Sequence, residues 1–120
     1  MKKTKMLKKN YEFSSVFSKG KYYSGETIEA IILNNFKDIN YLGLAISSKA
    51  GKALQRNRIK RLLRENYLNY EQMIISGISI VFLVKKKTQI EDIDFYQIKK
   101  DMKSIFEKSK IFTNSASSNI

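Results

Sequence analysis

A chain of 120 residues is long enough for one domain with a modest hydrophobic core. Its net charge of +12 and pI near 9.9 predict a polyanionic partner, nucleic acid rather than an anionic membrane surface. The lack of cysteine excludes disulfides and thiolate nucleophiles, and the lack of histidine removes the commonest general base and metal ligand. We therefore expect a binding protein rather than a self-sufficient enzyme.

The ends of the chain are polar, and no apolar run approaches the roughly 20 residues that cross a bilayer. The basic first residues are followed by further lysines instead of the apolar region of a signal peptide. The sequence thus predicts a cytoplasmic protein without a membrane partner. We expect a single domain over residues 1–120, with a mobile basic arm at 1–9 and a flexible polar tail at 113–120.

The first element predicted in chain order is a short helix. Asn10 is a suitable N-cap, Phe13, Val16 and Phe17 repeat at helical spacing, and Gly20 stands where helices commonly end. Two phenylalanines one turn apart are more often core residues than a stacking surface. The pattern alone therefore favours the core interpretation.

Three strands are predicted next. Residues 21–24 form a short edge strand, and residues 27–33 alternate, with Ile28, Ala30 and Ile32 on one side. Residues 41–47 alternate as well, and their small residues Gly43 and Ala45 allow another surface to approach closely. That surface is either a packed helix or RNA, and the sequence does not separate the two.

The next helix carries all four arginines of the chain within nine residues. On a helical wheel, Ile59, Leu62 and Leu63 form a core stripe. The other side carries a basic ridge that spans roughly 140° and consists of Arg56, Asn57, Lys60, Arg61 and Arg64. Guanidinium groups bind phosphate through two parallel hydrogen bonds and stack on bases, which lysine does poorly. This helix is therefore the predicted site of nucleic-acid contact.

The most apolar run, residues 78–84, predicts a central strand buried on both faces, and three lysines close it. A strand, helix, strand order predicts a parallel pair with a crossover helix, right-handed in about 98% of such units.

The only dense acidic cluster comprises Glu91, Asp92 and Asp94. A metal-dependent nuclease site is one interpretation. Helix capping by Asp94, with Gln97 three residues later, is the favoured one. The last helix carries its apolar face from Phe95 and ends near Ile111.

The segment from Gly51 to Arg64, read as Gly-Lys-Ala-x-x-Arg-Asn-Arg-x-Lys-Arg-x-x-Arg, resembles the signature of the protein subunit of bacterial ribonuclease P. That enzyme trims the five-prime leader from precursor transfer RNA. The resemblance extends from about Leu7 to Phe112. It agrees with the predicted α+β fold, a two-layer sandwich of αβββαβα order with a four-stranded sheet, and it implies a left-handed crossover.

The resemblance also implies functional roles. The RNA subunit carries the hydrolysis and binds most of the magnesium, and the protein supplies no catalytic or metal-binding residue. The partners are ribonuclease P RNA and precursor tRNA, with no protein partner required. Phe13 and Phe17 are expected to stack on the leader, and the strand aromatic of the family is replaced by Ala30 or Ile31. The expected RNA-binding residues are Lys49, Lys52, Arg56, Asn57, Arg58, Lys60, Arg61 and Arg64.

Two other classes remain open from the sequence. A ribosomal RNA-binding protein of similar fold shares the charge and the sandwich, and co-purification with ribosomes would identify it. A protein-only nuclease would depend on the acidic cluster, and cleavage by the protein alone would identify it.

Overall fold

The computed structural model describes residues 1–113, which form one five-stranded mixed sheet with three α-helices. The sheet has the order β1-β4-β5-β3-β2. Strands β1 and β5 run parallel to β4, and β3 pairs antiparallel with both β5 and β2. The elements are β1 (Thr4–Met6), α1 (Asn10–Lys19), β2 (Lys21–Ser24), β3 (Ile28–Asn34), β4 (Asn40–Leu44), α2 (Ala53–Tyr70), β5 (Ile78–Val84) and α3 (Phe95–Lys108).

The fold class is α+β as predicted, but the prediction of four strands was wrong. The additional strand, β1, lies in the segment predicted to be a mobile arm and pairs with β4 at the edge of the sheet. Its stability comes from distant residues: the Thr4 and Tyr67 hydroxyls lie 2.6 Å apart, and the Glu71 carboxylate accepts hydrogen bonds from the backbone N–H groups of Lys2 and Lys3. Burial raises the pKa of Glu71, but these hydrogen bonds outweigh it and the net shift is downward.

The helices lie on both faces of the sheet, so the predicted two-layer sandwich was wrong too, because α1 covers the face that α2 and α3 leave open. Helices α2 and α3 cover one face, here called the α2–α3 face, and the main core lies there, with Ile28, Ala30 and Phe82 fully buried. Helix α1 crosses the other face, the α1 face, above a small cluster of Leu7, Val16 and Val81. The alternation predicted for β3 is confirmed, since every second residue of it is buried under α2 and α3.

Strand β5 is the third of the five strands, and its first five residues are buried. This confirms the predicted central strand. Because β4 and β5 are adjacent and parallel, with α2 between them in the chain, the predicted crossover helix is confirmed too. The left-handed crossover that the resemblance implies stays a prediction.

The helix termini differ in part from the expected caps. Helix α1 begins at Asn10, so Asn10 is not its N-cap. Instead, the Glu12 carboxylate accepts hydrogen bonds from the backbone N–H groups of Lys8 and Lys9, at 3.1 and 2.8 Å. Asp94 does cap α3, because its carboxylate accepts a hydrogen bond from the backbone N–H of Gln97 at 2.8 Å. The tail predicted at 113–120 lies outside the described residues from 114 onward.

A buried carboxylate, that of Asp101 on α3, fastens the turn between β2 and β3. It accepts hydrogen bonds from the backbone N–H groups of Glu26, Thr27 and Ile28 and from the Thr27 hydroxyl. The Gln97 side chain donates to it as well, rather than returning to Asp94 as a complete capping box requires. Burial raises the pKa of Asp101, yet these hydrogen bonds leave it below its ordinary value.

Candidate RNA interface

Helix α2 presents the basic ridge that its sequence predicts. Ile59, Leu62 and Leu63 are buried in the core, which fixes the rotation of the helix about its axis. Asn57, Arg61 and Arg64 are consequently exposed on the opposite side, and Lys60 is half-buried. The ridge is therefore a surface of α2 that a phosphate backbone can reach.

Arg61 has an ionic neighbour on the same helix. Its Nε lies 3.7 Å from the Glu65 carboxylate one turn away, and both side chains are more than half exposed. Exposed ion pairs of this spacing on a helix contribute about 0.3–0.5 kcal/mol to folding stability. A phosphate group can therefore displace Glu65 at little cost.

Two of the four arginines are partly engaged within the protein. The Arg58 guanidinium donates hydrogen bonds to the backbone carbonyls of Ile90 and Ile93, at 3.4 and 2.6 Å. Arg56 Nε donates to the carbonyl of Gly51 at 3.1 Å. On the helical wheel Arg58 lies on the border between core and ridge, and the structure shows why an arginine suits that position: it braces α2 against the turn that precedes α3.

The loop before α2 carries two of the predicted RNA-binding lysines. Lys49 and Lys52 are exposed, and an added Cβ at Gly51 would lie 2.6 Å from Ile90 Cδ1. Only glycine therefore lets this loop approach Ile90 without displacing it. Lys52 is the N-cap residue of α2, and its carbonyl accepts a hydrogen bond from the backbone N–H of Arg56 at 3.0 Å.

A basic depression of about 480 Å³ lies next to this loop, and it was not among the predicted sites. It brings Lys49 together with the lysine run 85–87 that follows β5. The parallel pairing of β4 and β5 could have predicted this depression. The carboxyl ends of adjacent parallel strands meet at one edge of the sheet, so the residues that follow the two strands lie close together.

The two phenylalanines of α1 occupy different environments. Phe13 is half-buried against the α1-face cluster, and its ring occupies the space that a Cβ at Gly43 would fill, 2.6 Å from that position. The small residue in β4 thus accommodates close helix packing. Phe17 is 42% exposed. Of the two, Phe17 has the ring surface on which a base can stack.

The two candidates for the position of the strand aromatic lie on opposite faces of the sheet. Ala30 is fully buried on the α2–α3 face, whereas Ile31 lies on the α1 face. Tyr22 of β2 pairs directly with Ile31 and is 56% exposed. A hydrogen bond to Glu29 raises the pKa of Tyr22. An exposed aromatic ring therefore does lie beside Ile31, on the neighbouring strand.

The acidic cluster has a structural explanation. Asp94 caps α3, and the turn that contains Glu91 and Asp92 supplies the Ile90 carbonyl that Arg58 binds. Within residues 1–113, no three carboxylates come close enough together to hold a metal ion.

Comparison with known proteins agrees with this geometry. The family model described as ribonuclease P matches residues 1–110. The chain belongs to the ribonuclease P protein family. Family membership implies that it is the protein component of a ribonuclease P, a subunit of an endoribonuclease of tRNA processing that works with ribonuclease P RNA. The ribosomal alternative is thereby set aside.

Individual relatives support the assignment over nearly the whole chain. The ribonuclease P protein component of Clostridioides difficile is 36% identical over 91% of this chain and 95% of its own length. The structure of the Staphylococcus aureus RNase P protein matches with a TM-score of 0.78 at 28% identity, covering 90% of this chain and 97% of the other. The Thermotoga maritima protein matches with a TM-score of 0.77 at 27% identity, covering 87% and 96%.

Among the helices of residues 1–113, none is long and apolar enough to cross a bilayer.

Proposed function

We propose that this chain binds ribonuclease P RNA through the α2 ridge and the five-prime leader of precursor tRNA through the α1 face. In this proposal the RNA subunit carries the hydrolysis and binds most of the magnesium. The observation that carries the proposal is the exposure of Arg61 and Arg64 on a helix whose rotation is fixed by its buried stripe. We also propose that the protein acts in the cytoplasm and requires no protein partner.

The ridge provides phosphate contact. Arg61 and Arg64 offer forked donors to phosphate oxygens, and Asn57 and Lys60 add further donors beside them. Arg56 and Arg58 keep N–H groups beyond those used internally, since a guanidinium carries five. Lys52 adds a positive charge at the start of α2, and Lys49 lines one depression with the lysine run 85–87.

The leader is proposed to lie along the flank of α1 that carries Phe17. Bases stack on aromatic rings without sequence preference, at about 1–3 kcal/mol each. Phe13 supports the helix from below rather than offering a free ring, so we assign the stacking mainly to Phe17.

The proposed division of labour predicts how magnesium acts. Twelve net positive charges reduce the repulsion between two RNA molecules that magnesium otherwise neutralises. The protein should therefore lower the magnesium requirement more than it changes the chemical step at saturating metal.

The test is single-turnover cleavage of precursor tRNA by a bacterial ribonuclease P RNA across a magnesium titration, with and without the protein. We expect cleavage at magnesium concentrations where the RNA alone is slow, and no cleavage by protein alone. The variant Arg61→Ala/Arg64→Ala should lose much of this effect. A matched control, Lys99→Ala/Lys103→Ala, removes the same charge from α3. Equal losses in both variants, or metal-dependent cleavage without RNA, would contradict the proposal.

A further inference from the structure

A groove of about 510 Å³ lies on the flank of α1 opposite the one that carries Phe17. From the helix it is lined by Tyr11, Glu12, Ser15, Val16 and Lys19, and from the sheet by the loop that follows β3. At 100° per residue, the centre of this set of positions lies about 150° around the helix axis from the centre of Phe13 and Phe17. The groove is therefore separated by α1 from the proposed leader surface.

The loop at the rim of the groove displays a phenylalanine in a constrained conformation. Phe36 is 90% exposed and has a φ of 59°, in the left-handed region that a residue with a Cβ rarely adopts. The Asn34 side chain accepts a hydrogen bond from the backbone N–H of Phe36 at 2.9 Å, and the Asn35 side chain accepts one from Lys37 at 2.8 Å. The backbone N–H of Asn35 donates to the carbonyl of Gly77 at 2.8 Å, which ties the loop to the start of β5.

An exposed ring on such a loop contributes little to the core, so folding does not account for it. Two further aromatic rings line the groove: Tyr11, 69% exposed, and Tyr41, with Lys37 Nζ 5.4 Å from its ring centroid. Lys9 Nζ lies 5.9 Å from the centroid of the Tyr11 ring, so the groove combines flat aromatic surfaces with a cation close to each tyrosine.

The surroundings of the groove are strongly basic. A neighbouring depression shares Tyr11, Glu12 and Tyr41 with it and continues the same surface toward β1. Glu12 is the acidic residue that lines both, and its carboxylate is occupied by the backbone N–H groups of Lys8 and Lys9, which lower its pKa. The lysines that line the two depressions are Lys5, Lys8, Lys9, Lys19 and Lys37.

We infer that this groove binds unpaired nucleotides of ribonuclease P RNA, with bases on Phe36 and Tyr11 and phosphates at the surrounding lysines. Aromatic rings among lysines are the chemistry that single-stranded nucleic acid requires, because bases supply flat faces and the backbone supplies charge. The catalytic RNA is the source that fits, since a leader lying on Phe17 would have to cross α1 to reach Phe36. This inference rests on the proposed function.

The test is the affinity of the protein for ribonuclease P RNA, measured by fluorescence anisotropy over a series of salt concentrations. Phe36→Ala should weaken binding by about 5- to 150-fold, as expected for one lost stacking contact. The slope of log affinity against log salt should not change, because no charge is removed. Tyr11→Ser should act in the same direction, and Lys37→Ala should make the slope shallower. The matched control is Tyr96→Ala, which removes a ring that is 74% exposed on α3 beside acidic residues.

The outcomes separate the two claims. Wild-type protein that does not bind ribonuclease P RNA would overturn the proposed function and this inference together. Wild-type binding with unchanged affinity for Phe36→Ala and Tyr11→Ser would overturn the inference alone. A loss seen only with a leader oligonucleotide would show that the source of the nucleotides is wrong. A comparable loss for Tyr96→Ala would show that the effect is not specific to the groove.

Discussion

The two faces of the sheet share one set of strands but are covered very differently. On the α2–α3 face, side chains such as Ile80, Phe82 and Phe106 are fully buried in a continuous core. On the α1 face, one helix of ten residues crosses the sheet and leaves a groove on its Tyr11 flank and Phe17 half-exposed on the other. The difference indicates that the α2–α3 face holds the fold together, and that the α1 face and the ridge are available for RNA.

The largest expected effect is on the α2–α3 face. Phe106 packs against Tyr70, Phe82 and Phe112 at centroid distances of 5.7, 6.2 and 5.8 Å. Phe106→Ala should lower the free energy of unfolding by about 3–5 kcal/mol, because it leaves a cavity in the core. The matched change on the α1 face, Phe17→Ala, should lower the free energy of unfolding by less than about 1 kcal/mol, and urea titration of both variants measures the difference. Similar losses for both would show that the two faces do not differ in this way.

The sequence predicted the α2–α3 face well because it is specified by local pattern. The alternation in β3, the apolar run of β5 and the stripe of α2 are each visible within a few residues. Strand β1 was missed because three residues reading Thr-Lys-Met carry no periodic signal. Its stability depends on Glu71 and Tyr67, more than sixty residues away in the chain.

The candidate RNA interface, like the fold, was predictable from the sequence only where a local pattern specifies it. The ridge followed from the helical wheel, but the brace formed by Arg58 requires carbonyl groups more than thirty residues downstream, which no local pattern reveals. The separation of Phe13 from Phe17 depends on Gly43 in another strand. Spacing alone treats the two rings as equivalent.

A smaller effect is expected at Asp101, which joins α3 to the β2–β3 turn. Asp101→Ala should lower the free energy of unfolding by about 2–4 kcal/mol, because three backbone N–H groups and the Thr27 hydroxyl lose their acceptor together. Since the folded-state pKa lies below the ordinary value of 3.8, the contribution is complete above that value and is lost as the pH falls through the folded-state pKa.

Unfolding measured between pH 7 and pH 2 tests this expectation. The difference in stability between wild type and Asp101→Ala should shrink only in the acid part of the range, below about pH 4. The control is Glu91→Ala, which also removes one negative charge but from an exposed side chain. A difference that is constant with pH would show that the carboxylate charge is not what holds the turn.

A smaller effect still is expected where α1 meets the sheet. Gly43→Ala places a Cβ 2.6 Å from the Phe13 ring, so the ring or the helix has to move. Overpacking of this kind costs about 1–3 kcal/mol. Adding Phe13→Leu should recover part of the loss, and a double-mutant cycle measures that coupling. Additive losses would mean that Gly43 does not serve to accommodate Phe13.

The most direct test of the division between the faces is the affinity of the reconstituted enzyme for precursor tRNA with a leader and for mature tRNA. Phe17→Ala should weaken binding of the leader-bearing RNA by about 1–3 kcal/mol and leave mature tRNA nearly unchanged. Tyr96→Ala, the matched exposed aromatic on α3, should change neither affinity. An unchanged affinity of Phe17→Ala for precursor tRNA, or an equal loss for both RNAs, would contradict the assignment of the α1 face to the leader.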